Sequence, residues 1–192
     1  MANLLALITL VAGLWASPAL AGPVDTPIPL NPCAAPNGDL KLQLVANDVA
    51  TDSGGAACPN PGSGCTETMI VCYNTAATGG DNIDIVVELF DATGALVTPA
   101  VPSVEVCSIQ PGASAAFTTN FLPGQSPYQG TVVSAGSHLV PPGSLRVLSS
   151  SKKIACDASL IDVQGYVVYG LASPLWSKDI TLTRGSNGQK GD

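Results

Sequence analysis

The chain has 192 residues, a formal net charge of −7 and only 11% charged residues. Its 7 Lys and Arg residues are scattered apart from the Lys152–Lys153 pair. Nucleic acids and anionic membrane surfaces are bound through clustered basic residues, so the composition argues against both kinds of partner. The acidic chain, rich in Gly and Pro, instead fits short strands joined by turns.

Residues 1–21 predict a signal peptide. An apolar run from Leu4 to Leu14 is too short to span a bilayer, and Ala19 and Ala21 form the small-x-small pattern of a cleavage site. No Lys or Arg precedes the run, which departs from the usual pattern, and a retained helical anchor is the alternative. We expect cleavage after Ala21, a secreted or periplasmic protein, and no membrane association afterwards.

The 6 cysteines all follow the predicted cleavage site. An even number in an exported chain predicts disulfide bonds. The residues are Cys33, Cys58, Cys65, Cys72, Cys107 and Cys156. Many pairings remain open, and the preferred set is Cys107–Cys156, Cys58–Cys65 and Cys33–Cys72. The first of these would join two strand-like runs and add about 4 kcal/mol in the chain-entropy model.

The rest of the chain divides into three parts. Residues 22–38 are Pro-rich and predict an extended segment tethered by Cys33, and residues 185–192 predict a flexible, Gly-rich tail. Residues 39–184 form one predicted β domain. Two irregular segments interrupt it, at 46–63 and 120–130, and long loops of this kind often carry function.

The stretch 81–97 carries the clearest strand signal. Its apolar residues alternate from Ile83 to Leu89, while Asp84 and Glu88 fall on the opposite face. This period of two predicts a strand with one buried face and one outward face. Asp91 and Gly94 then predict a turn into a return strand, which would make 81–97 the central hairpin of the domain.

Similar patterns predict the remaining strands. They cover residues 40–45, 67–73, 101–109, 113–119, 144–148, 154–163, 166–169 and 180–183, and residues 130–140 are interpreted as a short hairpin. The runs 144–148 and 154–163 are interpreted as a hairpin, and Gln110–Gly112 as a type II turn.

Short strands with evenly spaced turns and no helical pattern predict an all-β, antiparallel two-sheet sandwich stapled by disulfides. A closed barrel is the alternative. The arrangement is similar in architecture to exported immunoglobulin-like and fibronectin-like modules.

Residues for nucleophilic catalysis are not assembled in the sequence. His138 is the single His, and no G-x-S-x-G motif is present. Ser149 and Lys152 match S-x-x-K, as do Ser150 and Lys153, but they lie between two predicted strands without the accompanying S-D-N or K-T-G motifs. We therefore predict no catalytic residue and no enzymatic activity.

No cofactor and no metal site are predicted. Cys58, Cys65 and Cys72 recur every seven residues, which is not a zinc-binding spacing. Asp81 and Asp84 offer oxygens that suit calcium, but a turn leading into a strand is the favoured interpretation. Trp176 is a candidate partner anchor, and it could equally close one end of the sandwich.

These observations predict a non-enzymatic structural or interaction module outside the cytoplasm, with a protein or extracellular-matrix partner. The first alternative is a glycan- or calcium-binding module that uses loops 46–63 and 120–130. A secreted hydrolase is the third hypothesis.

Overall fold

The computed structural model describes residues 24, 26–49, 66–97, 104–119, 131–134, 143–162 and 177–185. This part of the chain forms strands and turns without a helix, so it contains no helix that could cross a membrane. The strands are β1 (Lys41–Val49), β2 (Thr66–Asn74), β3 (Ile83–Phe90), β4 (Val104–Ile109), β5 (Ser114–Thr118), β6 (Thr131–Ser134), β7 (Gly143–Ser149), β8 (Ile154–Asp162), β9 (Ser177–Ile180) and β10 (Thr183–Arg184).

The strands form two five-stranded sheets. The order is β10-β1-β7-β3-β4 in the first sheet and β6-β5-β2-β8-β9 in the second. The pairs are antiparallel except β5 with β6, which run parallel. The prediction of an all-β, two-sheet sandwich is confirmed, and the resemblance to immunoglobulin-like modules stays a prediction.

The core lies between the two sheets. The first sheet contributes the alternating apolar side chains of β3 together with Leu145 and Val147 of β7. The second sheet contributes Ile70, Phe117 and Ala158 among others. Removing this apolar surface from water is the main favourable term in folding, at about 25 cal/mol per Å².

The predicted hairpin of 144–148 and 154–163 is wrong. β7 pairs with β1 and β3 in the first sheet, whereas β8 pairs with β2 and β9 in the second. Residues 150–153 therefore carry the chain across the sandwich. A period of two identifies which side chains face the core, but it does not distinguish strands that pair side by side from strands that pack face to face.

The expectation that β3 is buried on one face only is also wrong, because all eight of its residues are buried. The N-terminal strap, defined here as residues 26–39, lies over the outer side of the first sheet. It is anchored to Asp84 of β3 and to Arg146 of β7. After β3, the turn at Asp91 is confirmed, but the predicted return strand is reduced to one bridge between Phe90 and Leu96.

A second, smaller apolar cluster lies on this outer side of the first sheet. It comprises Leu40, Leu42, Val86 and Leu148. The first sheet thus buries apolar side chains on both of its faces. An antiparallel sheet with one face in water would bury them on one face only.

Two of the preferred disulfide pairings are wrong. Cys72 joins Cys156, its direct partner across β2 and β8, and Cys33 joins Cys107. Cys107 is exposed on the outer side of the first sheet, whereas Cys156 lies in the second sheet against the core, so these two cannot meet. Cys33 is the tether of the strap, as predicted, but its partner is on β4. The pair Cys58–Cys65 lies outside the described residues.

Several strand boundaries also differ from the predictions. β1 continues to Val49, so residues 46–49 belong to a strand and not to the predicted loop. The predicted strand 180–183 is divided between β9 in the second sheet and β10 in the first. Residues 163–170 and most of 46–63 lie outside the described residues. The turn at Gln110 is confirmed, with Gly112 at a φ of 78° and a hydrogen bond from the Ala113 amide to the Gln110 carbonyl.

Candidate functional site

The most elaborate polar cluster surrounds the Asp84 carboxylate beneath the strap. Its Oδ2 accepts hydrogen bonds from the Asn37 amide (2.6 Å) and from Nδ2 of Asn31 (2.8 Å). Its Oδ1 accepts from Nδ2 of Asn37 (2.6 Å) and from the Ser108 amide (2.9 Å). The cluster therefore joins the strap, β3 and β4 at one buried charge.

This hydrogen bonding decides the protonation state of Asp84. Burial on its own raises the pKa of a carboxyl group, but the bonds from Ser108, Asn37 and Asn31 outweigh it and lower the pKa of Asp84 below its ordinary value. Asp84 is therefore a buried anion in its resting state, fully engaged by donors. Such a group stabilises an assembly and has no proton to exchange near neutral pH.

Asp84 also lies next to the Cys33–Cys107 disulfide. The two sulfur atoms and a carboxylate oxygen of Asp84 lie within 4.8 Å of one another, and they are the one group of three metal-ligating side chains found among the described residues. The sulfurs are bonded to each other, whereas zinc and related metals are bound by thiolates. In this oxidised state the group acts as a covalent anchor of the strap.

Arg146 forms a second anchor for the strap. Its side chain is 1% exposed and pairs with Glu88, its direct neighbour across β3 and β7. The guanidinium also donates to the carbonyl oxygens of Thr26 and Pro27, and it lies 5.5 Å from the centre of the Phe90 ring. A planar guanidinium can satisfy these partners at once, so the ion pair holds the first residues of the strap.

The first part of the strap and the residue before it expose apolar side chains. Leu30 and Ile28 of the strap are 93% and 39% exposed, and Val24, which precedes the strap, is 48% exposed. Beside Leu30 a groove of about 160 Å³ runs between the strap and the first sheet. It is lined by Pro29, Leu30, Pro32, Val86, Val87, Glu88 and Val104.

Two depressions of mixed polar and apolar lining lie at the far end of β1. One, of about 320 Å³, is lined by Asn47, Asp48 and residues around β9, and another, of about 440 Å³, is lined by the same two residues and the turn at Asp91. Asp48 has a φ of 62° at an irregularity of β1. This is the described edge of the predicted binding loop 46–63.

The S-x-x-K residues lie at the end of β7 and on the turn that follows it. Ser149 is fully buried at the end of β7, and its Oγ accepts a hydrogen bond from the Ser151 amide. The Ser150 Oγ accepts from the Asp84 amide, and Lys152 and Lys153 are exposed on the turn. In this part of the described chain no helical turn brings a Ser beside a Lys, and the absence of a catalytic residue stays a prediction.

The other candidates have different outcomes. Asp81 is exposed, and the Asp84 carboxylate is engaged by its donors; the absence of a calcium site at these residues stays a prediction. Cys33, Cys72, Cys107 and Cys156 form disulfides as predicted. His138, Trp176, Cys58, Cys65 and loop 120–130 lie outside the described residues.

Sequence reasoning missed the role of Asn31, Asn37 and Arg146. One signal was present: charges are scarce in this chain, yet Asp84, Glu88 and Arg146 stand within apolar strand patterns. Charges at such positions need partners when the outer face is covered. The sequence pattern did not indicate that a cover exists.

Searches of protein-family models, of curated proteins and of solved structures found no match to this chain.

Proposed function

We propose that this protein is an exported, non-enzymatic β-sandwich that acts as a structural or interaction module outside the cytoplasm. The observation that carries the proposal is the use of the buried polar groups. Asp84, Glu88 and Arg146 are residue types that often catalyse reactions. Here the Asp84 carboxylate and the Glu88–Arg146 ion pair hold the strap on the sheet.

The two described disulfides support the compartment in this proposal. Disulfide bonds persist in oxidising environments outside the cytoplasm, and both bonds link residues far apart in the chain. The predicted signal peptide points to the same compartment. A protein or extracellular-matrix partner is part of the proposal.

The alternative, a glycan- or calcium-binding module, draws on the depressions around Asn47 and Asp48. Polar and apolar groups line both depressions, and Asp48 offers a carboxylate to either ligand. The strap is held by a disulfide and by the contacts to Asp84 and Arg146, so the interaction module is the preferred proposal.

One preparation tests the proposal. We expect the protein recovered from the exported fraction to begin at Gly22 and to take up no thiol label before reduction, as measured by intact mass. We also expect no hydrolysis of ester, glycoside or peptide substrates, and no change in melting temperature with calcium or a glycan panel.

Each result opposite to these expectations would contradict a different part of the proposal. Free thiols or an uncleaved N-terminus would contradict export, and a hydrolytic activity lost in Ser149→Ala or His138→Ala would contradict the non-enzymatic assignment. A melting shift abolished by Asp48→Asn would favour the ligand-binding alternative.

A further inference from the structure

We propose that the Cys33–Cys107 disulfide is a redox switch for the strap, which a dithiol opens while the sandwich stays folded. The proposal rests on the proposed interaction function and adds a control over the surface that this module presents. In the oxidised state the disulfide holds the strap covalently on the first sheet. In the reduced state the strap keeps its hydrogen bonds to Asp84 and Arg146 but loses its covalent anchor.

The two described disulfides differ in their access to solvent. Cys107 is an exposed residue of β4, and its partner Cys33 is 6% exposed. Cys72, by contrast, is fully buried in the core, and Cys156 is packed against that core. Thiol–disulfide exchange requires a thiolate to reach a sulfur atom, and exposed disulfides are the labile ones in folded proteins. A reductant therefore meets the sulfur of Cys107 first.

The exchange begins at Cys107. A thiolate of the dithiol attacks the Cys107 sulfur, the bond between the two cysteines breaks, and Cys33 leaves with the electron pair and takes up a proton. The second thiol of the reductant then displaces Cys107 from the mixed disulfide. Two electrons and two protons pass from the dithiol to the protein, which leaves two cysteine thiols and a reductant oxidised to its own disulfide.

The sandwich does not depend on the strap for its main-chain hydrogen bonds. The strap contributes no strand to the described sheets, and β3 beneath it is paired with β4 and β7. The Cys72–Cys156 bond joins the neighbouring strands β2 and β8 and remains in place. Breaking the Cys33–Cys107 bond therefore frees one segment without unfolding the sheets.

Opening the strap changes the surface of the first sheet. Val86 and Val104 are each 3% exposed and form part of the sheet side of the groove beneath the strap. Arg146 is 1% exposed and donates to the carbonyl oxygens of Thr26 and Pro27, which move away with the strap. The reduced protein therefore presents apolar and charged groups that the oxidised protein covers.

The test is stepwise reduction of the mature, oxidised protein with dithiothreitol. Free thiols are alkylated at each step and assigned by peptide mapping, so that Cys58 and Cys65 are counted separately. We expect the Cys33–Cys107 bond to be reduced about tenfold faster than the Cys72–Cys156 bond, because access limits the exchange.

Amide hydrogen exchange on the same samples reports the position of the strap. We expect exchange at Asn37, whose amide is bonded to Asp84, to become about tenfold faster once Cys33–Cys107 is reduced, while the amides of β2 and β8 stay slow. Reoxidation with glutathione disulfide should restore slow exchange at Asn37.

A variant with Cys33→Ser and Cys107→Ser is the matched control, since its exchange at Asn37 should be fast and should not respond to dithiothreitol. Reduced thioredoxin is a second probe that separates two sources of the dithiol. Reduction by both probes would assign the switch to a protein dithiol that can reach Cys107, whereas reduction by dithiothreitol alone would assign it to a small dithiol.

Reduction of Cys72–Cys156 at the same rate or earlier would overturn the proposal. So would a reduced Cys33–Cys107 pair with unchanged exchange at Asn37, or equally faster exchange in β2 and β8, which would indicate unfolding. An exported, oxidised and inactive protein whose strap does not open would still agree with the proposed function, so the two proposals can fail separately.

Discussion

Asp84 shows how one residue can organise a surface. A buried carboxylate without partners is strongly unfavourable, and this one is stabilised by donors from two separate parts of the chain. Its partners come from residues up to 53 positions away. The hydrogen bonds that keep Asp84 charged are therefore the same bonds that position the strap.

We expect Asp84→Asn to destabilise the protein by about 1–3 kcal/mol at neutral pH, because an amide leaves some of the surrounding donors unsatisfied. The pKa of Asp84 is lowered from its ordinary value near 3.8. Its stabilising contribution is therefore present above that value and is lost as pH falls through the lower folded-state pKa. Chemical denaturation between neutral pH and pH ~2 measures both effects.

Asp91→Asn is the matched control. The pKa of Asp91 is also lowered, chiefly by the Thr93 hydroxyl, but the residue lies on an exposed turn. We expect little change in stability or in acid sensitivity. Equal effects from the two substitutions would contradict the structural role assigned to Asp84.

At the scale of elements, the strap converts β3 from a surface strand into a buried one. It is not itself a strand in the described sheets. Its attachment depends on side chains and on one disulfide, whereas strands are held by repeated main-chain hydrogen bonds. A segment held in this way can be detached while the sheets stay folded.

Replacement of Cys33 and Cys107 by Ser tests this independence. We expect faster amide hydrogen exchange at Asn37, whose amide is bonded to Asp84, while the exchange of β2 and β8 amides stays slow. Unchanged exchange at Asn37 would show that the polar anchors hold the strap without the disulfide.

At the scale of the whole molecule, the two disulfides of the described residues have different roles. Cys33–Cys107 attaches the strap to the outside of the sandwich, whereas Cys72–Cys156 lies within the second sheet, with Cys72 fully buried in the core. Their sequence separations are similar, at 74 and 84 residues. Chain entropy therefore predicts nearly the same stabilisation for both.

Because the two disulfides are packed differently, their removal should lower the melting temperature by different amounts. We expect Cys72→Ala with Cys156→Ala to lower the melting temperature more than Cys33→Ala with Cys107→Ala, because only the first pair of substitutions removes sulfur atoms from the core. Equal melting temperatures for the two double variants would indicate that chain entropy alone sets their contributions.

The sequence by itself determined the all-β class, most of the strands and the core-facing side chains. Period-two alternation is a local property, and burial of one face follows from it directly. The core-facing apolar side chains of β3 were assigned correctly on that basis. The turns at Asp91 and Gly112 were equally predictable from the sequence, since their geometry depends on a few adjacent residues.

Only the tertiary structure decided which strands pair, which cysteines join and where Asp84, Glu88 and Arg146 lie. Each of these depends on contacts between residues distant in sequence. A local pattern reports that a side chain is buried but not what covers it. The strap has no periodic pattern of its own, so its position on the sheet was decided only when the folded chain brought Asn31, Asn37 and Cys33 to their partners.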